Sequence, residues 1–262
     1  MVTTLVKVAA VPARLSAPLR GPHSACSVSA RRPEGATRRR ALRAKGLGDD
    51  LRAACAEEWR RGTTEHAFIA AVRDGSIAPE QYNAWLLQDY LFVQDFTRFA
   101  GAVLAKAPAE EGMLLLLDGS FAVLGDELRW FASTLAERGV EAAGAARQPA
   151  NERYCDAMAR WGRELDWGMA VLAFFAVESS YNAAWGSCGD APEPYRGWAA
   201  RWSCSEFTAF CGGLEAAAEA ALADPATGSI PPERMAAAVA LFREVLLLEE
   251  GFWSMAYEGG AP

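Results

Sequence analysis

One stretch constrains the fold of this chain more than any other. Residues 171–185 read VLAFFAVESSYNAAW, which is apolar and aromatic enough to form a helix buried inside a core. Steps of three and four residues place one set of side chains on a single face of that helix: Val171, Phe174, Phe175, Tyr181 and Trp185. Glu178 lies on the same face. A carboxylate on a core-facing stripe is costly unless another group pairs with it or uses it.

Two further stretches repeat this pattern. Asp89 interrupts the apolar stripe of residues 86–103, and Glu249 interrupts the apolar stripe of residues 241–256. Both stretches have the three- and four-residue spacing of an amphipathic helix. The pattern predicts that three acids, each on a different helix, converge on one polar pocket inside a helical core.

Helical spacing accounts for the whole chain after its first 45 residues. The predicted helices cover about 50–73, 79–106, 108–139, 151–164, 171–185, 195–223 and 233–257, separated by Gly, Pro and Asp signals. Asp49 or Asp50 is predicted to cap the first helix, and Pro79 to open the second. No segment alternates apolar and polar residues between turn signals, as a strand would. We therefore expect residues 46–262 to form an all-α, single-domain bundle of about seven helices.

The charge distribution divides the chain in two. Residues 1–45 carry ten Lys or Arg and one acid, Glu34, whereas the whole chain has a formal net charge of −7. The first segment is predicted to be a disordered basic presequence. Its composition is typical of a transit peptide that directs a protein to a plastid or a mitochondrion. The alternative is a basic tail without a targeting role, on a cytosolic protein. The acidic remainder argues against a nucleic-acid partner.

Other composition features narrow the class of protein. No apolar run approaches the roughly 20 residues that span a membrane, so we expect no membrane partner. The six cysteines form no C-x-x-C pair and are expected to be reduced thiols. Only two histidines occur, which excludes a His-rich metal site. His66 is predicted to be a hydrogen-bonded structural residue.

The three acids suit two kinds of chemistry. A carboxylate such as Asp89 can meet a ring nitrogen and a neighbouring exocyclic amine together, so it could anchor a ligand that carries both groups. Glu178 and Glu249, if close in a dry pocket, could supply a general acid and a general base. The alternatives are a structural Asp89 bonded to Tyr or Trp, and glutamates paired with distant arginines.

Aromatic side chains recur near these acids in the sequence. Phe92, Tyr154, Tyr181, Trp202 and Trp253 could line a flat pocket and stack on a planar ligand. The alternative is that they form ordinary core.

Several short motifs, in order, resemble one known family over about residues 47–258, the TenA (thiaminase II) family. The motifs are His66-x-Phe68, Gln88-Asp89-Tyr90-Leu91, Glu178-x-x-Tyr181, Trp198 followed by Ser205-Glu206-Phe207, and Glu249-x-x-Phe252-Trp253-x-Met255-Ala256-Tyr257. The resemblance implies a seven-helix, haem-oxygenase-like fold with a pocket for thiamin-derived pyrimidines.

The resemblance also implies roles for individual residues. Asp89 matches the acid that binds the aminopyrimidine, and Glu249 matches the acid that handles protons at the leaving group. Phe92, Tyr154 and Tyr181 match pocket aromatics.

Two positions depart from the commoner branch of the family. Val177 stands where that branch has a nucleophilic cysteine, with Glu178 following, and Trp202 replaces a pocket tyrosine. This resembles the branch in which Glu replaces the Cys. Direct hydrolysis by Glu178 and Glu249 is therefore favoured over thiolate attack.

These observations predict an aminopyrimidine aminohydrolase of thiamin salvage. The expected substrate is 4-amino-5-aminomethyl-2-methylpyrimidine or its N-formyl form, and the product is the 5-hydroxymethyl pyrimidine. No metal or cofactor is required, and a homodimer or homotetramer is expected from the resemblance. The alternatives are a non-catalytic pyrimidine- or thiamin-binding protein of the same fold and a helical interaction module.

Overall fold

The computed structural model describes residues 46–108 and 110–259, and every regular element in this part of the chain is a helix. The predicted presequence of residues 1–45 lies outside the described residues. The elements are α1 (Leu47–Ala54), α2 (Ala56–Gly62), α3 (Ala67–Asp74), α4 (Pro79–Leu104), α5 (Glu110–Leu116), a π-turn (Leu117–Phe121), α6 (Ala122–Glu137), α7 (Pro149–Glu164), α8 (Trp167–Gly186), α9 (Tyr195–Ser203), α10 (Ser205–Leu222) and α11 (Pro232–Tyr257).

The seven predicted helical segments are all present, and three of them are interrupted. The first is three short helices, α1 to α3, and Gly46 rather than Asp49 or Asp50 occupies its N-cap. The third contains the π-turn, and the sixth breaks at Cys204, whose backbone is extended. Each break divides one predicted segment into separate helices, and hydrophobic periodicity alone does not predict such breaks. The prediction of an all-α bundle is confirmed.

The break after α2 has a visible packing cause. A Cβ atom on Gly62 would lie 2.7 Å from the carbonyl oxygen of Leu246, so only glycine allows this approach to α11. The indole of Trp253 donates to the Gly62 carbonyl at 3.0 Å, which fixes the contact. Four residues after Gly62, the His66 Nδ1 accepts from the Phe68 amide and caps α3.

His66 is a structural residue, as predicted. Its Nε2 lies 3.1 Å from the Ser254 hydroxyl on α11, and burial lowers the pKa of His66 to about 4. The ring is therefore neutral near physiological pH and joins the start of α3 to the last helix.

Helix α8 is the centre of the bundle. Most of its residues are buried, and α4, α7, α9, α10 and α11 all pack against it. Burial on nearly every side explains why its sequence is apolar all round, as expected for a helix enclosed by others. A polar side chain on this helix therefore either points into a cavity or needs an internal partner. Within the described residues, no helix is long and apolar enough to cross a membrane.

Candidate active site

A cavity of about 1650 Å³ lies beside α8, between α4, α6, α7, α9, α10 and α11. All seven predicted site residues line it: Asp89, Phe92, Tyr154, Glu178, Tyr181, Trp202 and Glu249. They come from five different helices. The structure therefore brings these seven residues together, whereas Trp253, also predicted to line the pocket, is not part of the lining that the described residues form; the chemical roles of all of them stay predictions.

Asp89 projects from the middle of α4 and is 3% exposed. The hydroxyl of Tyr181, on α8, donates to its Oδ2. Burial raises the pKa of Asp89 well above its ordinary value; the Tyr181 bond opposes this, and the charges of Glu127 and Glu249 add to it. Burial in the cavity therefore favours the protonated form of Asp89. A protonated carboxyl can donate to a ring nitrogen and accept from an adjacent amine.

Glu249 projects from α11 and is 4% exposed. The hydroxyl of Tyr154, on α7, donates to its Oε1 at 2.6 Å. Burial raises the pKa of Glu249 to about 7, and hydrogen bonding from Tyr154 and Ser180 limits the rise. Its carboxyl is thus divided between both protonation states at neutral pH, the condition that suits a general acid or base.

Glu178 has no hydrogen-bond partner among residues 46–108 and 110–259, although it lines the cavity. Burial raises its pKa well above the ordinary value, and the charges of Glu127 and Glu249 raise it further. In the same part of the chain, no Arg or Lys forms an ion pair with Glu178 or Glu249. The described residues therefore give no support to the alternative in which these glutamates pair with distant arginines.

Aromatic rings surround the acids. Tyr181 stacks on Trp253, with ring centres 5.8 Å apart and planes 15° apart, and meets Trp202 edge-on at 5.4 Å. On the opposite side the ring of Phe92 lies 4.8 Å from that of Tyr154. Trp253 supports the pocket from behind Tyr181 and is itself absent from the cavity lining in the described residues. Flat apolar walls with a few polar groups are typical of a site for a planar ligand.

A fourth acid in the cavity, Glu127, was missed by the sequence analysis. It projects from α6, and the Trp202 indole donates to its Oε1 at 2.6 Å. The signal that identified the other acids was present, because Val123, Leu124 and Phe131 lie three or four residues from Glu127. Within the described residues, no three His, Cys, Asp or Glu side chains are grouped so that they could hold a metal ion.

Comparisons with known proteins agree with this geometry. Residues 53–259 match the sequence pattern of the TENA/THI-4/PQQC family. The chain is 30% identical over 202 residues to a soybean (Glycine max) protein named "Probable bifunctional TENA-E protein", covering 74% of this chain and 86% of that one.

Two further relatives are more distant. A yeast (Saccharomyces cerevisiae) protein, hydroxymethylpyrimidine/phosphomethylpyrimidine kinase THI21, is 26% identical over 209 residues, which are 74% of this chain and 36% of the yeast protein. The solved structure of a TenA homologue from Pyrococcus furiosus superposes with a TM-score of 0.72 at 23% identity, covering 80% of this chain and all of that one. At that identity the superposition supports the fold alone.

Proposed function

The chain belongs to the TENA/THI-4/PQQC family, and from this premise we propose that it is an aminopyrimidine aminohydrolase of thiamin salvage. The proposed substrate is 4-amino-5-aminomethyl-2-methylpyrimidine, with its N-formyl form as a second substrate, and the product is the 5-hydroxymethyl pyrimidine. Two relatives support this substrate class: the soybean protein named for TENA-E and the yeast kinase named for hydroxymethylpyrimidine. The Val177-Glu178 sequence supports the branch that lacks the cysteine nucleophile.

One observation carries the proposal: three acids from α4, α8 and α11 line one aromatic cavity without any ion pair in the described residues. A buried acid that is kept for structure alone normally has a charged or strong hydrogen-bonding partner. Glu178 has none among the described residues, and Glu249 has neutral ones. Groups that are desolvated, unpaired and located in a cleft are the expected features of a reactive site.

The different environments of the two glutamates support different roles for them. The pKa of Glu178 is raised well above its ordinary value by burial, and no hydrogen bond opposes the rise, so the protonated form of this carboxyl is favoured. The pKa of Glu249 is about 7, so a large fraction of this carboxyl is ionised. Pairs of acids whose pKa values are pushed apart are commonly divided into an acid and a base.

The reaction that follows is a substitution at the exocyclic carbon. Asp89 binds the ring nitrogen and the 4-amino group, while Tyr181 and Phe92 enclose the ring. Ionised Glu249 takes a proton from water, whose oxygen bonds to the 5-methylene carbon as the carbon–nitrogen bond breaks. Glu178 and the leaving nitrogen share one proton, so the nitrogen departs as neutral ammonia. The departure leaves Glu178 ionised and Glu249 protonated, and the proton on Glu249 then passes through solvent to Glu178, which restores both carboxyls.

Replacement of each glutamate by glutamine tests the proposal. Glu178→Gln and Glu249→Gln keep the side-chain volume and remove the ability to exchange a proton, and each should lower turnover of the aminopyrimidine by about 100-fold or more. Glu137→Gln, at the exposed end of α6, is the matched control and should behave as the unaltered protein. Unaltered turnover in both cavity variants would refute the assigned roles.

The binding-protein alternative makes a different prediction. Calorimetry with the 5-hydroxymethyl product, run beside the activity assay, separates the two. Tight binding of the product by a chain that turns over neither substrate would show that the cavity is a receptor and that the hydrolase proposal is wrong.

A further inference from the structure

Glu127 lies in the same cavity as the three acids above, and the proposed reaction leaves it without a role. Its Oε1 accepts the Trp202 indole hydrogen at 2.6 Å. In residues 46–108 and 110–259, no side chain donates to its Oε2, and no Lys or Arg forms an ion pair with it. One oxygen of this carboxyl is therefore held in place while the other is free to meet a ligand.

The charge of Glu127 acts on both the anchor and the catalytic acid. It raises the pKa of Glu178 and of Asp89, in each case after the effect of burial and by more than the charge of Glu249 does. Tyr181 is affected in the same direction, after burial and Asp89. Glu127 is thus electrostatically close to the centre of the site, on the wall formed by α6.

Positive charge near this wall is scarce. Nine acidic residues and two arginines, Arg201 and Arg234, are among the described residues that line the cavity. Arg234 is bound to Asp166, and the Arg201 guanidinium lies 4.6 Å from the centre of the Trp130 ring, where it interacts with the ring face. Like charges in a site of low dielectric repel strongly, so a cationic ligand relieves this repulsion and a neutral ligand does not.

We propose that Glu127 is a specificity-determining residue that, with Glu178, favours a substrate whose 5-substituent carries a protonated amine over one made neutral by formylation. This inference rests on the proposed function and extends it to the choice between the two substrates. The free Oε2 of Glu127 and the unpartnered carboxyl of Glu178 line the same cavity, where both can meet the 5-substituent of a bound pyrimidine.

The surroundings of Glu127 support an ionised carboxyl more than those of Glu178 do. Burial raises the pKa of Glu127, but the Trp202 hydrogen bond and the charge of Arg201 lower it. Nothing comparable opposes the raised pKa of Glu178. A protonated amine in the cavity can meet the free Oε2 of Glu127, whose ionised form the Trp202 hydrogen bond supports, as well as the carboxyl of Glu178.

The test is the ratio of kcat/KM for the aminomethyl substrate to that for its N-formyl form, measured on the full chain. Glu127→Gln keeps an oxygen that can accept from Trp202 and removes the charge. The ratio should fall by roughly tenfold, the size expected for losing one partly desolvated charge interaction. Glu137→Gln, on the exposed end of the same helix, should leave the ratio unchanged.

A second variant covers the case in which Glu127→Gln does not fold. Trp202→Phe removes the indole hydrogen that supports the ionised Glu127, so the ratio should fall several-fold, whereas a loss of stacking on the ring affects both substrates alike. If the ratio of the two kcat/KM values is unchanged in cavity variants that fold, the inference is overturned. This includes the case in which turnover of both substrates falls by the same factor.

Failure of the proposed function gives a different result. In that case the unaltered chain turns over neither substrate, and calorimetry with the same two pyrimidines decides the inference. Tighter binding of the amine that is lost in Glu127→Gln supports the role of Glu127. Equal binding of the two compounds, or binding of neither, refutes it.

Discussion

Removing the hydroxyl of Tyr154 is the most direct test of the acid–base chemistry of the cavity. This hydroxyl donates to Glu249 at 2.6 Å, and both groups are buried. The bond stabilises the ionised form of Glu249, which is why it limits the rise in the pKa of that carboxyl to about 7. Tyr154→Phe removes this donor and preserves the ring that packs against Phe92.

The expected magnitude follows from the strength of such a bond. A hydrogen bond to a charged group contributes about 1.5–3 kcal/mol. Each pKa unit corresponds to about 1.4 kcal/mol, so losing the bond should raise the pKa of Glu249 by about one to two units. At pH 7 the ionised fraction then falls from about one half to a tenth or less, and kcat/KM should fall at least fivefold, by roughly 50-fold for the larger shift.

The assay is the pH dependence of kcat/KM for the aminomethyl pyrimidine from pH 5.5 to 9. If Glu249 is the base, the acid limb of the profile in Tyr154→Phe moves to higher pH, and the deficit shrinks as the pH rises. The matched control is Tyr195→Phe, whose ring packs on Tyr82 away from the cavity, and its profile should not move. If the acid limb of the Tyr154→Phe profile stays in place, Glu249 is not the base. The same conclusion follows if the variant loses no activity at pH 7 and stays active to higher pH.

Three further predictions test other parts of the site. Burial raises the pKa of Glu249 from its ordinary value of 4.5 to about 7, so between these values this group binds more protons in the folded state than in the unfolded state. The contribution of Glu249 to the free energy of unfolding should therefore fall by about 2.5 kcal/mol as pH rises from 5 to 8, seen as the difference between the unaltered protein and Glu249→Gln. Glu249→Gln should remove most of this pH dependence in urea unfolding. Asp89→Ala should weaken calorimetric binding of the product by roughly 30-fold, because one strong hydrogen bond is lost, and equal affinity would exclude Asp89 as the anchor. Gly119→Ala places a Cβ atom 2.1 Å from the ring of Phe210 and should lower the free energy of unfolding by about 2 kcal/mol. The control Gly212→Ala, whose Cβ atom would have no neighbour within 4 Å, should be neutral or slightly stabilising. Equal unfolding midpoints for these two variants would show that the π-turn accommodates the contact.

The positions of the helices could be predicted from the sequence because helix formation depends on local spacing. The stripes through residues 86–103, 171–185 and 241–256 each lie inside one observed helix. Asp89, Glu178 and Glu249 were identified for the same reason, since an acid on an apolar stripe is visible without knowledge of its neighbours. The breaks after α2 and at Cys204 were not predicted, because they depend on how separate helices approach each other.

The position of Glu127 in the cavity could not be predicted from the sequence. Its stripe had the required spacing, yet the third predicted helix contains the π-turn at Leu117–Phe121, and no single face runs through the whole segment. The turn, with Gly119 against Phe210, aims α6 so that Glu127 reaches the cavity.

The helical character of this chain and the acids on the apolar faces of three helices can be predicted from the sequence, because both properties depend on residues within a few positions of each other. The sharing of one cavity by the acids, and the partner of each acid, depend on how the helices pack. Tyr154 donates a hydrogen bond to Glu249, and Tyr181 donates one to Asp89. Glu178 has no hydrogen-bond partner among the described residues. These pairings join residues far apart in the chain, and they control the pKa values on which the chemistry depends.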